Sequence, residues 1–257
     1  MPLLAPSWMP APGSLDRVNW PVAADGAMAT AIAAVGEEIR QHVRQVILQA
    51  GFTGSVLIGH SMGGALACVL AADPAIAAEG LVLLDSSEPM PHQRRADNLV
   101  RMGQWIGRAV AEGRSAAQTA WVAEQPNRTD HVFHSSERGP ARALIERSMA
   151  HAPVVAAAAA LGSYLQWPID EGLQQVRCPV LAFAADPGRL PVAALRQARP
   201  DARFTSSANA ATSCMCSQAS VFAPTWSAGY ALFEEDVHIH HLAKAPGGLG
   251  LFLGRPA

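Results

Sequence analysis

The sequence predicts an α/β protein in which a mostly parallel sheet is flanked by helices and interrupted by an inserted helical cap. Short apolar runs at residues 56–58, 81–84 and 180–183 are typical of buried strands, and helical patterns separate them. Between about Pro91 and Pro168, helical segments follow one another with no convincing strand. This alternation, with one helical block inside it, is the pattern of a parallel sheet with a cap.

Composition limits the size and the partners of the protein. The chain has 257 residues, of which 50% are hydrophobic and 16% charged, which suits one core with an inserted lid. The net charge of -2 and the lack of a basic stripe predict no nucleic-acid partner. The start lacks a charged secretory region, and no apolar run reaches the roughly 18 residues that span a bilayer. We therefore expect a cytoplasmic protein without a membrane partner.

The elements before the first buried strand are a loop and a long helix. Prolines and Gly13 follow the short apolar piece at residues 3–5, which indicates a strand end and a loop. After Asp25, apolar residues recur at steps of three and four, and Gly51 ends the pattern. This spacing predicts one amphipathic helix. Its predicted buried residues are Ile32, Val35, Ile39, Val43 and Val46.

The segment VLIGHSMGGALA, residues 56–67, carries the most informative motif. An apolar β-branched run precedes Ser61 and an alanine-rich run follows it, so the chain turns from a strand into a helix at this serine. Gly59 and Gly63 lack a Cβ, which allows the backbone to fold tightly there. Gly-x-Ser-x-Gly in this context is the nucleophile elbow, in which a strained turn holds the serine hydroxyl above the sheet.

The later elements continue the alternation of strands and helices. The elbow helix ends near Asp73-Pro74, and residues 81–85 form the next predicted strand. Helices are predicted within the block at 98–111, 141–149 and 154–165. After the block, the strand at 180–183 is followed by a helix near 192–198 and a short strand at 202–204.

These motifs resemble the α/β-hydrolase family from Leu3 to about Phe204. The elbow carries the resemblance, and three patterns support it. They are the strand-and-loop segment at residues 2–6 and 12–14, the apolar strand ending at Asp85, and the Val-Arg-Cys-Pro-Val-Leu strand at residues 176–181. The resemblance implies the α/β-hydrolase fold. It divides the chain into a first part of the core at 1–88, a helical cap at 89–171 and a second part of the core at 172–257, with an atypical segment at 205–230.

The resemblance also implies a catalytic triad in the chain order serine, acid, histidine. Ser61 is the nucleophile, and Asp186, just past the strand at 180–183, is the acid, with Asp85 as the alternative. His238 is the general base in this arrangement, and His240 is the alternative. The backbone N–H of Met62 is the expected oxyanion donor.

Such a triad predicts a serine hydrolase that cleaves a small to medium carboxylic ester or lactone through an acyl-enzyme. The motif does not distinguish esterase, lipase and lactonase. Tryptophan and methionine side chains in the cap either line an apolar pocket or simply pack together; they include Trp105, Trp121 and Met102. The expected partner is a small-molecule substrate, and the sequence does not indicate the oligomeric state.

Several positions depart from the family's pattern. Pro187 and Gly188 occupy the usual place of the acid, and Val237 replaces the glycine that normally precedes the histidine. No His-Gly occurs upstream of Ser61 to mark the second oxyanion donor, so the front of the chain looks shortened, without the first strands of the sheet. The alternative function is therefore a catalytically impaired or inactive homologue, truncated or altered in reading frame, that acts at most as a binding protein.

The four cysteines predict no disulfide framework and no metal site. Cys68 and Cys178 lie in apolar segments and are expected to be buried thiols. Cys214 and Cys216 form a lone Cys-x-Cys without a second pair, and their spacing from the histidines is not a known ligand pairing. We expect neither a metal nor another cofactor.

Overall fold

The fold consists of one sheet and seven helices within the residues that the structure describes. The computed structural model describes residues 26–86, 90–129, 143, 146–147, 150–185, 190–207, 241–243 and 251–255. The helices are α1 (Gly26–Gln49), α2 (Met62–Ala71), α3 (His92–Glu112), α4 (Arg114–Thr129), α5 (Val154–Tyr164), α6 (Ile169–Gln175) and α7 (Val192–Ala198). The strands are β1 (Val56–His60), β2 (Gly80–Leu84), β3 (Val180–Ala185), β4 (Arg203–Ser207), β5 (His241–Ala243) and β6 (Leu251–Arg255).

The sheet has the strand order β4-β3-β2-β1-β6-β5. Strands β1 to β4 pair in parallel, while β6 pairs antiparallel with both β1 and β5. The mostly parallel α/β class predicted from the sequence is confirmed. Register aligns His60 with Leu84 and Leu84 with Phe183, so the carboxyl ends of β1, β2 and β3 lie side by side.

The central strands are buried on both faces, as their unbroken apolar runs predict. Every residue of β2 is buried, and so are residues 56–59 of β1 and 180–183 of β3. Helices cover a parallel sheet on both sides, which removes the need for alternating polar residues. Burial of this kind stabilises the sheet by about 25 cal/mol for each Å² of apolar surface removed from water.

Helix α1 has the predicted apolar stripe, with one correction. Ile32, Val35, Ile39 and Val43 are buried as expected, but Val46 is 46% exposed and Ile47 is fully buried in its place. Both residues are near Val43 on the helix surface, Val46 three positions and Ile47 four positions after it. A step of four residues turns less far around the helix axis than a step of three, so Ile47 lies closer to the buried line through Val43.

The described residues form two compact units. The first holds the six strands, α2, α6, α7 and the second half of α1, and the second holds the first half of α1 together with α3, α4 and α5. The boundary residues are Ile39/Arg40, Met90/Pro91 and Gln166/Trp167. The second unit therefore combines the helices between Pro91 and Gln166 with the first half of α1.

Inside the second unit, the cap aromatics pack against each other. Trp105 of α3 and Trp121 of α4 meet edge to face, with ring centroids 5.3 Å apart and an interplanar angle of 88°. Gln118 connects α4 to the start of α5: its Nε2 donates to the carbonyls of Ala150 and Ala152, and its Oε1 accepts from the Val154 N–H. The block was predicted to be helical, but none of its individually predicted helices covers α4.

A buried arginine in the first unit binds backbone oxygens of the segment that precedes β3. The Arg199 guanidinium donates to the carbonyl oxygens of Leu173, Val176 and Cys178, at 3.2, 2.8 and 3.4 Å. It also pairs with Asp201, with an Nη2 to Oδ2 distance of 2.6 Å. The hydrogen bond to Asp201 raises the pKa of Arg199 further above its ordinary value. Arg199 therefore donates to buried backbone oxygens of the segment that leads from α6 into β3.

Cys68 and Cys178, the two described cysteines, are buried thiols, as predicted. Burial raises the pKa of the Cys178 thiol to about 11, so this side chain stays protonated at neutral pH. Within the described parts of the chain, no helix is long and apolar enough to cross a membrane.

The part-buried pair of Arg44 and Asp73 gives the first unit a test of its electrostatics. Arg44 Nε lies 2.5 Å from Asp73 Oδ2, and the Ala75 N–H donates to Asp73 Oδ1 at 2.9 Å. Burial alone raises the pKa of the Asp73 carboxyl, but the hydrogen bonds from Arg44 and Ala75 outweigh it, and the pKa is lowered. The ionised carboxylate is therefore the form that stabilises the fold.

We expect Asp73→Asn to lower the free energy of unfolding by about 1–2 kcal/mol at pH 7. Because the folded pKa is lowered, the contribution is complete above the unfolded value of about 3.9 and is lost as pH falls through the folded pKa. Urea unfolding of wild type and Asp73→Asn from pH 7 to pH 3 measures whether the difference between their free energies of unfolding shrinks as the pH falls.

Glu112→Gln is the matched control, since Arg108 and Glu112 form an exposed pair with side chains 41% and 50% exposed. Loss of this exposed pair is expected to lower the free energy of unfolding by less than about 0.5 kcal/mol. Equal losses from the two variants would contradict the special role of the Arg44–Asp73 pair.

Candidate active site at the carboxyl ends of the parallel strands

Ser61 lies between the last residue of β1 and the first residue of α2, at the predicted turn from strand to helix. Its backbone has φ 52° and ψ -122°. Residues with a side chain rarely adopt positive φ, and such strain persists only where the surrounding structure imposes it. Strained residues of this kind cluster at functional sites.

The Ser61 hydroxyl is not used to cap the helix. Serine at the position before a helix usually accepts a hydrogen bond from a backbone N–H of the first turn. Ser61 occupies that position for α2 but makes no side-chain capping bond. Its side chain therefore stabilises the helix less than an ordinary serine cap does.

Glycine is required where β1 and α2 approach each other. A Cβ built on Gly59 would lie 2.3 Å from the Gly63 carbonyl oxygen and 2.6 Å from the Gly64 Cα. Both distances are far below van der Waals contact, and both partners are backbone atoms that cannot swing aside. The glycines of the motif therefore set how closely the strand and the helix pack around Ser61.

The Ser61 carbonyl oxygen is held by three donors. The N–H groups of Gly64 and Ala65 donate to it at 2.9 and 3.3 Å, and these bonds begin α2. The third donor is the Ser86 hydroxyl, at 3.3 Å. Ser86 is completely buried and follows the end of β2, so this bond joins the elbow to the neighbouring strand.

Asp85 lies beside the elbow at the end of β2. It is completely buried, and its backbone has φ 42°. Its N–H donates to the Phe183 carbonyl at 2.8 Å, and its Oδ1 accepts from the Leu190 N–H at 3.3 Å. The Ser61 N–H in turn donates to the Leu84 carbonyl at 3.4 Å. These bonds connect the ends of three neighbouring strands.

Met62 is the first residue of α2. The first N–H groups of a helix have no acceptor inside the helix, and the helix dipole makes this end positive. An N–H at this position, adjacent to the serine, is suited to bind the negative oxygen of a tetrahedral intermediate.

The remaining predicted site residues lie outside the described part of the chain. Asp186 comes directly after β3 in the sequence, and His238 and His240 precede β5. Their assignment to the triad stays a prediction, as does the absence of a role for Cys214 and Cys216. Among the described residues, no group of three or more histidine, cysteine or acidic side chains could hold a metal ion.

Sequence reasoning missed Ser86. The signal was available, because a serine follows the aspartate that ends the apolar run at residues 81–84. Its contact with Ser61 joins residues 25 apart in the chain, however, and depends on the pairing of β1 with β2.

A strained serine between a parallel strand and a helix defines a class of α/β proteins that carry a nucleophile at this turn. The chain matches the model of the Alpha/beta hydrolase family over residues 4–234, and it belongs to that family. No curated protein sequence matches the chain.

Solved structures of other proteins are similar to this fold. An enol-lactonase from Burkholderia xenovorans has a TM-score of 0.56 and 19% identity, covering 76% of this chain and 73% of its own. A thermophilic esterase from Thermogutta terrifontis has a TM-score of 0.54 and 20% identity, covering 77% and 71%. A bromoperoxidase from Bacillus anthracis has a TM-score of 0.57 and 13% identity, covering 77% and 74%. At these identities, the similarity shows the fold alone.

The close approach of β1 and α2 predicts that Gly59→Ala is strongly destabilising. The added methyl meets backbone atoms of Gly63 and Gly64, so the strand and the helix must separate. We expect the free energy of unfolding to fall by about 2–4 kcal/mol. Thermal or urea unfolding followed by circular dichroism measures the loss.

Gly26→Ala is the control, because a Cβ at Gly26, the first residue of α1, meets nothing within 4 Å. Alanine is the better helix former, so this variant is expected to be as stable as wild type or up to about 1 kcal/mol more stable. A Gly59→Ala protein as stable as Gly26→Ala would contradict the described packing of the elbow.

Proposed function

We propose that the protein is a serine hydrolase that cleaves a small to medium carboxylic ester or lactone. The observation that carries the proposal is the Ser61 elbow, in which a strained backbone presents a hydroxyl that does not cap its helix. Membership of the Alpha/beta hydrolase family supports a hydrolase. The structurally similar proteins include an enol-lactonase and esterases, which favours an ester or lactone as the substrate class.

In the proposed mechanism, Ser61 Oγ attacks the substrate carbonyl carbon while its proton passes to the His238 imidazole. The carbonyl electron pair moves onto the oxygen, which accepts a hydrogen bond from the Met62 N–H. Collapse of this intermediate breaks the bond to the leaving oxygen, which takes the proton from His238. An acyl-enzyme remains, and in a lactone the released hydroxyl stays attached to the acyl group.

Deacylation repeats the same chemistry with water. The water oxygen attacks the acyl carbon while His238 accepts a proton from the water. His238 then gives this proton to Ser61 Oγ as the bond between Oγ and the acyl carbon breaks. In this proposal Asp186 accepts a hydrogen bond from the other ring nitrogen of His238 and holds the imidazole in the productive tautomer. No cofactor takes part in either step.

Asp85 is the alternative acid, and two observations favour it. It is completely buried at the end of the strand next to Ser61, and it has a strained backbone. In addition, Pro187 and Gly188 stand where the family resemblance places the acid. Its bond from the Leu190 N–H is a competing structural use of the same carboxylate.

A homologue without catalysis is the alternative function. The departures at Pro187, Gly188 and Val237 favour it, because the first two occupy the usual place of the acid and the third replaces the glycine that normally precedes the histidine. Such a protein would keep the elbow as inherited architecture and act at most in binding. Covalent labelling of Ser61 separates the two functions.

We expect a fluorophosphonate probe to label the wild-type protein and not Ser61→Ala. Turnover of p-nitrophenyl esters should fall by at least about 10³-fold in this variant, because the nucleophile is lost. The fold should persist, since Ser61 makes no capping bond that alanine would remove. Esters of graded acyl length and a homoserine lactone, measured in parallel, define the substrate class.

Ser163→Ala is the control for the same substitution elsewhere, because Ser163 is a buried serine of α5 whose hydroxyl donates to the Ala160 carbonyl. It should label as wild type does. Folded wild-type protein that is neither labelled nor active on any of these substrates would contradict the proposed hydrolase.

The triad assignment predicts large losses in His238→Ala and Asp186→Asn. Each variant should lower kcat by about 10³–10⁴-fold, through loss of the base or of its orientation. Steady-state kinetics on the best ester measures both.

His240→Ala and Asp85→Asn serve as the paired controls, and each should keep most of the activity. A large loss in Asp85→Asn with little loss in Asp186→Asn would transfer the acid role to Asp85. The same reversal between the two histidines would transfer the base role to His240.

A further inference from the structure

We propose that Ser86 is a positioning residue that orients the oxyanion donor of the site through the Ser61 peptide. The inference rests on the proposed function, in which the Met62 N–H binds the negative oxygen of the intermediate. It starts from a contact of a residue outside the elbow: the Ser86 hydroxyl donates to the Ser61 carbonyl oxygen at 3.3 Å.

The carbonyl of Ser61 and the N–H of Met62 belong to one peptide unit. Partial double-bond character keeps this unit planar and trans, so the C=O and N–H bonds point in opposite directions. Fixing the direction of the carbonyl therefore fixes the direction of the N–H. A hydrogen bond to the carbonyl also polarises the peptide, which makes its N–H a stronger donor.

The other two donors to the Ser61 carbonyl do not supply this anchor. Gly64 N–H and Ala65 N–H belong to α2 itself, so they move with the elbow if the elbow turns. Ser86 instead follows β2, which pairs in parallel with β1. Its hydroxyl thus ties the peptide plane to the sheet rather than to the helix.

The surroundings of Ser86 hold its side chain in place. The residue is completely buried. A Cβ built on Gly64 would lie 2.8 Å from both Cβ and Oγ of Ser86, so Gly64 and Ser86 are in close contact. On the chain, Ser86 follows Asp85, whose backbone and carboxylate are bonded to Phe183 and Leu190. A hydroxyl held by packing in this way costs no reorganisation during the reaction.

The effect of Ser86 should appear in the transition state and not in substrate binding. The negative oxygen develops only as the tetrahedral intermediate forms, so a misdirected Met62 N–H weakens that state selectively. We expect Ser86→Ala to lower kcat by about three- to tenfold, the equivalent of one hydrogen bond, with KM changed by less than about twofold. Affinity for a trifluoromethyl ketone, which forms an oxyanion adduct with serine, should fall by the same factor as kcat/KM.

Ser163→Ala is again the matched control, because it removes a buried hydroxyl that donates to a backbone carbonyl away from the elbow. If Ser86 has only a structural role, both variants lose a similar amount of stability and both keep wild-type kcat and ketone affinity. That result would overturn the inference. Ser86→Cys, whose thiol is a weak donor of similar size, should give an intermediate kcat and keeps the test open if Ser86→Ala folds poorly.

An observation independent of activity separates this inference from the proposed function. The amide 15N and 1H signals of Met62 report the hydrogen bond on the preceding carbonyl, and they should shift in Ser86→Ala but not in Ser163→Ala. Shifted signals in a wild-type protein without hydrolase activity would mean that the peptide is anchored while the proposed function is wrong. Unshifted signals together with unchanged kcat would mean that the inference itself is wrong.

Discussion

The close approach of β1 and α2 at the glycines of the elbow is the constraint on which the site depends. Gly59 lies so near the backbone of Gly63 and Gly64 that no side chain fits between strand and helix. The chain must therefore reverse within one residue, and Ser61 takes the positive φ that this reversal requires. Strain in Ser61 is thus a consequence of packing around it, and the buried strand and helix on either side keep it in place.

The ends of the parallel strands form a connected hydrogen-bonded edge around that serine. Backbone bonds lead from Ser61 to Leu84 and from Asp85 to Phe183, and the Asp85 carboxylate reaches Leu190. The Ser86 hydroxyl, which follows Asp85 in the chain, donates to the Ser61 carbonyl oxygen. Ligands of open α/β sheets bind at this edge of the strands. A preorganised edge is what a reaction with a short-lived negative oxygen requires.

The local sequence pattern predicted the elements whose burial is uniform along their length. The unbroken apolar run at residues 81–84 predicts a strand that is covered on both faces, and β2 lies there with every residue buried. Pattern failed where burial depends on distant partners: it did not define α4 as a separate helix, and it placed Val46 rather than Ile47 on the buried face of α1. A helical stripe drifts slowly around the axis, so its last turns depend on which neighbours they meet.

The turn from strand to helix and Ser61 as the candidate nucleophile could be predicted from local sequence, because steric exclusion by the glycines of a tight turn is a local property. The positions of Asp85 and Ser86 against that turn could not be predicted locally, since strand pairing brings together residues 25 apart in the chain. Hydrogen bonds between strand ends depend on register, and register is a property of the whole sheet.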